Sequence, residues 1–436
     1  MQPVIIGSLA IFALLAIGVL GVPVWLSMSV VALLGMWLVV DVNFAINTLQ
    51  TLPWSTVNQF SFVVIPMFIL MGGFAAAGGI TRELFFTANV WLSGVRGGLY
   101  MAVTLASAGF AAVSGSTVVN SAVFTRVALP EMLQGGYDRR LSAGCIAAAG
   151  TFAAMIPPSI AMAIYGLLTG ESIGSLLIAG IVPGLVTVIA YLILIAVMVR
   201  IDPSIAPAAV RKATMAERLG SLRGSWAVML LVMVVIGGLY SGAVSPSSAG
   251  TIGALGAFVI ALARRKLSKG DIAAALIEAA QLTAVVFLII IGGLLFSRLL
   301  LVTNFVNQLT VLVQDAGITS LTFILGVVVL YLILGMFMEA LSMIVVTLPF
   351  LFPVAKGLGI DPGWFGVLVV KLAELAVITP PVGINLFTVV GASDGAVNTR
   401  DVYRGVLPFV LLEVAVLALL IAVPELSLWL PRKMRE

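Results

Sequence analysis

The stretch Ile156-Pro157-Pro158-Ser159 lies inside an apolar run, and 223 residues after that double proline a second apolar run reads Thr379-Pro380-Pro381-Val382-Gly383. Proline lacks an N–H and its ring clashes with the carbonyl four residues back, so two in succession break an α-helix. The same shift of 223 carries Pro23 onto Pro246, Pro130 onto Pro353, and Gly136 and Asp138 onto Gly359 and Asp361. Gly72-Gly73 falls on Gly292-Gly293 at a shift of 220, which needs a three-residue gap. A double proline, a Gly-x-Asp and two single prolines in one register point to an internal repeat. The halves are 1–199 and 224–436, joined by the polar segment 200–223.

Composition identifies the solvent of these halves. Of 436 residues, 61% are hydrophobic and 9% charged, against about a quarter charged in soluble domains. An apolar surface of that extent is accepted only by lipid. The expectation is an all-α integral membrane protein of the bacterial inner membrane. The chain turns apolar at Pro3 with no basic segment before it, so 3–21 is read as a first span and not as a cleaved signal peptide. Further spans are expected at 23–41, 58–77 and 175–199, then at 226–241, 245–263 and 274–297, with a last one ending near 423. The stretch 303–320 reads as a connection.

Each half also holds two interrupted stretches. Those at 98–133 and 321–354 break near Ser114-Gly115-Ser116-Thr117 and near 337–342, and they read as re-entrant hairpins. Those at 140–168 and 363–393 break at the double prolines. A hairpin arm of about 16 residues is roughly 24 Å long, enough to bring its tip near the bilayer midplane. Each half would then cross the membrane five times, and an odd number makes the two repeats inverted. With the N-terminus outside, the basic residues of 82–96, 139–140, 200–223 (Arg211 among them), 264–269 and 400–404 face the cytoplasm. Arg298, Lys356, Arg432, Lys433 and Arg435 stay outside, and this bias follows the positive-inside rule apart from the basic tail. Both termini are therefore expected in the periplasm.

Several chemistries are excluded. The chain has no histidine and one cysteine, Cys145, which removes HExxH zinc sites, Ser-His catalysis, histidine relays and disulfides. No nucleophile–base arrangement is visible, so an enzyme is not expected. The net charge of +4 sits in membrane-flanking loops and implies no nucleic acid.

What remains is chemistry at the breaks. Irregular backbone at membrane depth is tolerated only where protein or a watery cavity covers it. It frees carbonyl oxygens for a cation, while the following half-helix points its positive end at an anion. Ser114, Gly115, Ser116 and Thr117 suit this, as do the groups around the double prolines: Met155, Pro157 and Ser159, then Ile378, Thr379, Pro381, Gly383 and Asn385. The alternatives are close helix packing by small residues and plain structural kinks. Asn120, Ser116, Ser159, Glu339 and Asn385 are the candidates for a substrate cavity. Arg126, Glu339, Lys371 and Glu374 are ionisable groups at depth, which are costly and usually functional; Lys371 and Glu374, three apart on one helix, are equally a self-neutralising structural pair.

Six stretches carry a resemblance that extends over almost the whole chain: Ile65-Pro66-Met67-Phe68-Ile69-Leu70-Met71-Gly72, Ser114-Gly115-Ser116, Ile156-Pro157-Pro158-Ser159, Ala179-Gly180-Ile181-Val182-Pro183-Gly184, Asp361-Pro362-Gly363-Trp364-Phe365-Gly366 and Thr379-Pro380-Pro381-Val382-Gly383-Ile384-Asn385-Leu386-Phe387. In these the sequence resembles the large membrane subunit of tripartite ATP-independent periplasmic (TRAP) transporters. That resemblance implies an elevator-type transporter, with the hairpins and broken helices moving on a scaffold of the remaining spans. It implies a small four-helix membrane subunit and a periplasmic substrate-binding protein as partners. It also implies a small organic acid as substrate, and Na+ as coupling ion with no other cofactor. Sodium sites carried over by position fall on Ser114 to Thr117 with Pro157 to Ser159, and on Phe337 to Ser342 with Thr379 to Asn385. A stand-alone sodium/carboxylate transporter of the wider superfamily, and a channel, remain the competing readings.

Overall fold

A computed structural model describes residues 3–208 and 212–435, with Arg211 and the side chain of Arg435 outside what it describes. Among the described residues every regular element is helical. The helix ends are set by local chemistry. The first hairpin consists of the arms Gly98–Ser114 and Thr117–Gln134, and the second of Ser320–Leu334 and Ala340–Gly357. The returning arms end alike. Gly136 and Gly359 are left-handed (φ 77° and 72°). The next amides, of Tyr137 and Ile360, reach back to the carbonyls of Met132 and Ala355 at 3.0 Å each, which closes a Schellman-type cap. Asp138 and Asp361 then cap the following helices through Leu141 N and through Gly363 N and Trp364 N. The Gly-x-Asp shared by both halves is thus one stop-and-start device used twice.

The broken helices run Arg139–Gly150, Phe152–Met155 and Ile160–Thr169 in the first half, and Pro362–Ile378 and Ile384–Ala392 in the second. Both double prolines contain a cis peptide bond.

Some boundaries differ from expectation. A helix, Val42–Val57, occupies a stretch with no expected element, started by the Asp41 carboxylate accepting from Phe44 N at 2.7 Å. Phe305–Asp315 is helical where a connection was expected, and Glu425–Arg435 adds a helix after the last span. The linker 200–223 is shorter than expected, because Thr214 and Glu217 form a capping box that starts the helix Met215–Tyr240. A second capping box, Ser268 with Asp271, lengthens the expected 274–297 span to Lys269–Val302. At 34 residues this helix is roughly 51 Å long and exceeds the hydrocarbon thickness.

Eight helical segments among the described residues are long and apolar enough to cross a membrane. One of them is the hairpin arm Ala340–Gly357, which was expected to be re-entrant. Large apolar side chains are exposed all around the molecule, among them Phe12, Leu38, Trp54, Met233 and Leu411, as a lipid-facing surface requires.

Each returning arm packs on the first part of its own half's broken helix and also crosses to the other half. The returning arm of the first hairpin lies on Ile384–Ala392 of the second broken helix, and that of the second hairpin lies on Ile160–Thr169 of the first. Thr399–Ala422 lies along Arg139–Gly150, where a Cβ on Gly144 would come within 2.0 Å of the Gly405 carbonyl carbon. Small residues let these backbones touch. Elsewhere Pro246–Ala263 packs on Val64–Ala77, and Lys269–Val302 on Val24–Val39.

Candidate functional site

Each hairpin tip is held where its own residues force the chain to turn. Gly115 ends the first arm in the left-handed region (φ 62°), and Ser116 caps the second by accepting from Val119 N at 3.4 Å. A Cβ at position 115 would lie 2.6 Å from the Pro158 carbonyl oxygen, so this tip sits directly on the first double-proline break. From the other side Gly72 approaches, where a Cβ would fall 2.9 Å from Ser114 Cα. At the second tip Glu339 precedes its arm and accepts from the Ser342 hydroxyl at 3.3 Å. Gly335 lies against Ala376 of the second broken helix, 2.4 Å from a built Cβ.

Between these tips and the helices Val64–Ala77 and Lys269–Val302 lies a cavity of about 610 Å³, within the range of small-molecule sites. Ser114, Gly115, Ser116, Thr117, Glu339 and Asn385 all line it, drawn from both halves of the chain. Asn385 is fully buried, and neither its amide oxygen nor its nitrogen has a hydrogen-bond partner. The Ser114 hydroxyl is likewise buried and unpartnered. An unsatisfied buried polar atom costs about 1–3 kcal/mol, and these two residues belong to the lining of one cavity. Oxygen donors of this type fit a hard cation such as Na+.

The other candidate residues lie outside that lining. The Met155 carbonyl faces the closing helix, where a Cβ on Gly180 would approach to 2.3 Å. The Ser159 hydroxyl donates to the Ala154 carbonyl and accepts from Met162 N, and that of Thr379 donates to Leu375 O at 2.6 Å. The Pro381 carbonyl accepts from Tyr403 OH. Pro157, Phe337, Ser342, Ile378 and Gly383 border the breaks and tips without reaching the cavity wall.

Asn120 corrects an expectation. It does not line the cavity but is buried behind the tip, accepting from the Ser107 hydroxyl at 3.1 Å. Its nitrogen donates to the carbonyls of Ser107 and Gly150 at 3.3 and 3.5 Å. A fully bonded amide there ties the two hairpin arms to the first broken helix.

Lys371 and Glu374 are buried together at 3.4 Å, but the nearer partner of Lys371 is Glu413, at 2.6 Å. Thr187 stands 3.1 Å from the Lys371 amine, and Tyr191 OH donates to Glu413 at 2.7 Å. Sequence reading missed Glu413, although a lone carboxylate within the apolar run of the last span was the signal available. Arg126 also lines the cavity.

The family described as "Tripartite ATP-independent periplasmic transporter, DctM component" matches residues 9–426 of this chain. The C4-dicarboxylate TRAP transporter large permease protein DctM of Pseudomonas aeruginosa is 34% identical over 391 residues, covering 89% of this chain and 90% of that one. Its counterpart in Rhodobacter capsulatus is 33% identical over 442 residues, covering 97% and 98%. The sialic acid TRAP transporter large permease protein SiaM of Vibrio cholerae is 29% identical over 423 residues and covers 97% of each chain. These relatives are permeases, not enzymes. Among solved structures, the YdaH transporter of Alcanivorax borkumensis superposes with a TM-score of 0.64 over 88% of each chain at 14% identity, a likeness of fold. A match across nearly the whole length, in a multi-pass helical membrane protein, establishes that the chain belongs to the DctM family, the large permease component of TRAP transporters.

Proposed function

We infer that this permease moves a small carboxylate across the inner membrane, coupled to Na+, by an elevator motion of its hairpins and broken helices. The observation that carries this reading is the single cavity at which both hairpin tips and the second break meet two long helices of the opposite wall, with Asn385 and Ser114 unsatisfied. Carboxylates are supported by the printed names of the relatives, C4-dicarboxylate and sialic acid among them. A periplasmic binding protein would deliver the substrate, and a small membrane subunit would complete the permease. A relative named isethionate TRAP transporter permease protein DctMQ, in Oleidesulfovibrio alaskensis, supports the latter. The match there spans 98% of this chain but 66% of that one, which leaves length for a further component.

The test is uptake into proteoliposomes holding the full complex, with and without a sodium gradient. Asn385→Ala and Ser116→Ala are each expected to raise the sodium concentration for half-maximal uptake about ten-fold, the effect of roughly 1.4 kcal/mol, with assembly intact. Unchanged sodium dependence in both would move the ion site elsewhere.

The repeats are inverted on this reading, with the segment around 200–214 in the cytoplasm and both termini in the periplasm. The only cysteine, Cys145, is buried, so Ala208→Cys supplies a single reactive thiol. A membrane-impermeant maleimide is expected to label it in inverted vesicles and not in intact spheroplasts. Labelling in spheroplasts reverses the orientation.

A further inference from the structure

The cavity has a second polar feature away from the tips. Along the returning arm of the first hairpin, Val119, Val123 and Arg126 line it at helical spacing, which puts them on one face. Ten residues separate Ser116 from Arg126, about 15 Å of helix. Arg126 is the only basic side chain among the lining residues, and it is exposed to the cavity. Among the described residues it makes neither a hydrogen bond nor an ion pair. Guanidinium groups at membrane depth are costly unless they face water or a partner, and this one faces the open cavity. Asp271 and Glu278 on the long helix complete the far part of the lining. Asp271 is engaged by Ser268 in its capping box, whereas Glu278 is unpaired.

We propose that Arg126 is a second anion station, which takes the carboxylate of the transported acid on its way between the tip site and the cytoplasmic mouth. This rests on the carboxylate-transport reading above. Three features support the assignment. A planar guanidinium grips a carboxylate through two parallel hydrogen bonds. The station lies on the same arm whose first residues, Thr117 to Val119, line the cavity, so the positive end of the helix dipole and the guanidinium lie along one arm. Glu278, on the long helix, lines the same cavity and would repel a bound anion, favouring its release. Arg126 is therefore a substrate-binding residue distinct from the sodium-binding groups at the tips.

The experiment is uptake and efflux in oriented proteoliposomes with the complete transporter, comparing wild type, Arg126→Gln, Arg126→Lys and Glu278→Gln with a radiolabelled C4-dicarboxylate as probe. Arg126→Gln is expected to raise the KM measured from the cytoplasmic face about ten-fold or more, the loss of a charge-assisted hydrogen bond. Arg126→Lys should recover part of it, and the sodium dependence of both should match wild type. Glu278→Gln should lower that KM and slow release. A merely structural Arg126 would shift melting temperature or kcat and leave KM and the Gln–Lys difference flat, which overturns the proposal. Wild-type transport with an unaltered Arg126→Gln defeats this station alone, whereas absence of any carboxylate transport by wild type defeats the underlying reading with it.

Discussion

Lys371→Met is expected to leave little folded protein recoverable in detergent, or to lower the apparent melting temperature by more than any single apolar truncation. The amine lies 2.6 Å from Glu413 and 3.4 Å from Glu374, and each of the three side chains is 1% exposed. Removing it leaves two buried carboxylates facing each other with no counter-charge. Breaking a buried pair from one side costs about 3–5 kcal/mol, against a total stability of about 5–15 kcal/mol for typical domains. The cluster also joins three elements, since Thr187 comes from Ile181–Ile201, Lys371 from Pro362–Ile378 and Glu413 from Thr399–Ala422. The triple variant Lys371→Met, Glu374→Gln, Glu413→Gln removes the charges together and should recover much of the loss. A single variant that melts like wild type would mean that the cluster is not held by its charges.

The second large effect is functional. Gly115→Ala is expected to abolish sodium-dependent uptake while the protein still folds and assembles. The residue is left-handed (φ 62°), and its Cβ would meet the Pro158 carbonyl oxygen at 2.6 Å. The left-handed conformation costs an L residue roughly 1–2 kcal/mol, and the clash is with backbone, which has no rotamer to change. The tip must therefore lift off the break, displacing the Ser114 and Ser116 side chains from their places in the cavity lining. Gly136→Ala is the control. Its φ is 77°, yet nothing lies within 4 Å of a Cβ there, so it carries the strain without the displacement and should keep its transport. Equal uptake in the two variants, measured at matched expression, would separate the tip contact from function.

The parts of this fold that were legible in the sequence are those made by neighbours along the chain. Pro157-Pro158 and Pro380-Pro381 break helices because a proline acts on the carbonyl four residues before it. Gly136-Tyr137-Asp138 and its copy at 359–361 end one helix and start the next through contacts within five residues. The helix at 42–57 went unseen because Pro53 and its mixed polarity mask an element that its Asp41 cap starts locally. The start of the 215–240 helix was written in Thr214 and Glu217, and there the polar composition of the linker outweighed the capping signal.

The sequence by itself determined the membrane as solvent, the matched double prolines and Gly-x-Asp stops in one register, and the positions at which the backbone must break. Only the tertiary structure decided which freed groups face a common space. The Met155 carbonyl turns toward Gly180 and the Ser159 hydroxyl is consumed by its own cap, whereas Asn385 and Ser114, 271 residues apart in the chain, face one cavity unsatisfied. It also decided that Asn120 is a strut and that Lys371 answers to Glu413 more closely than to its helical neighbour. The physical reason is range. A helix break is settled by sterics and hydrogen bonds over a few residues, but the direction of a carbonyl or an amide at that break is set by whatever packs against it. Here that is the seating of each hairpin's returning arm on the broken helices of both halves.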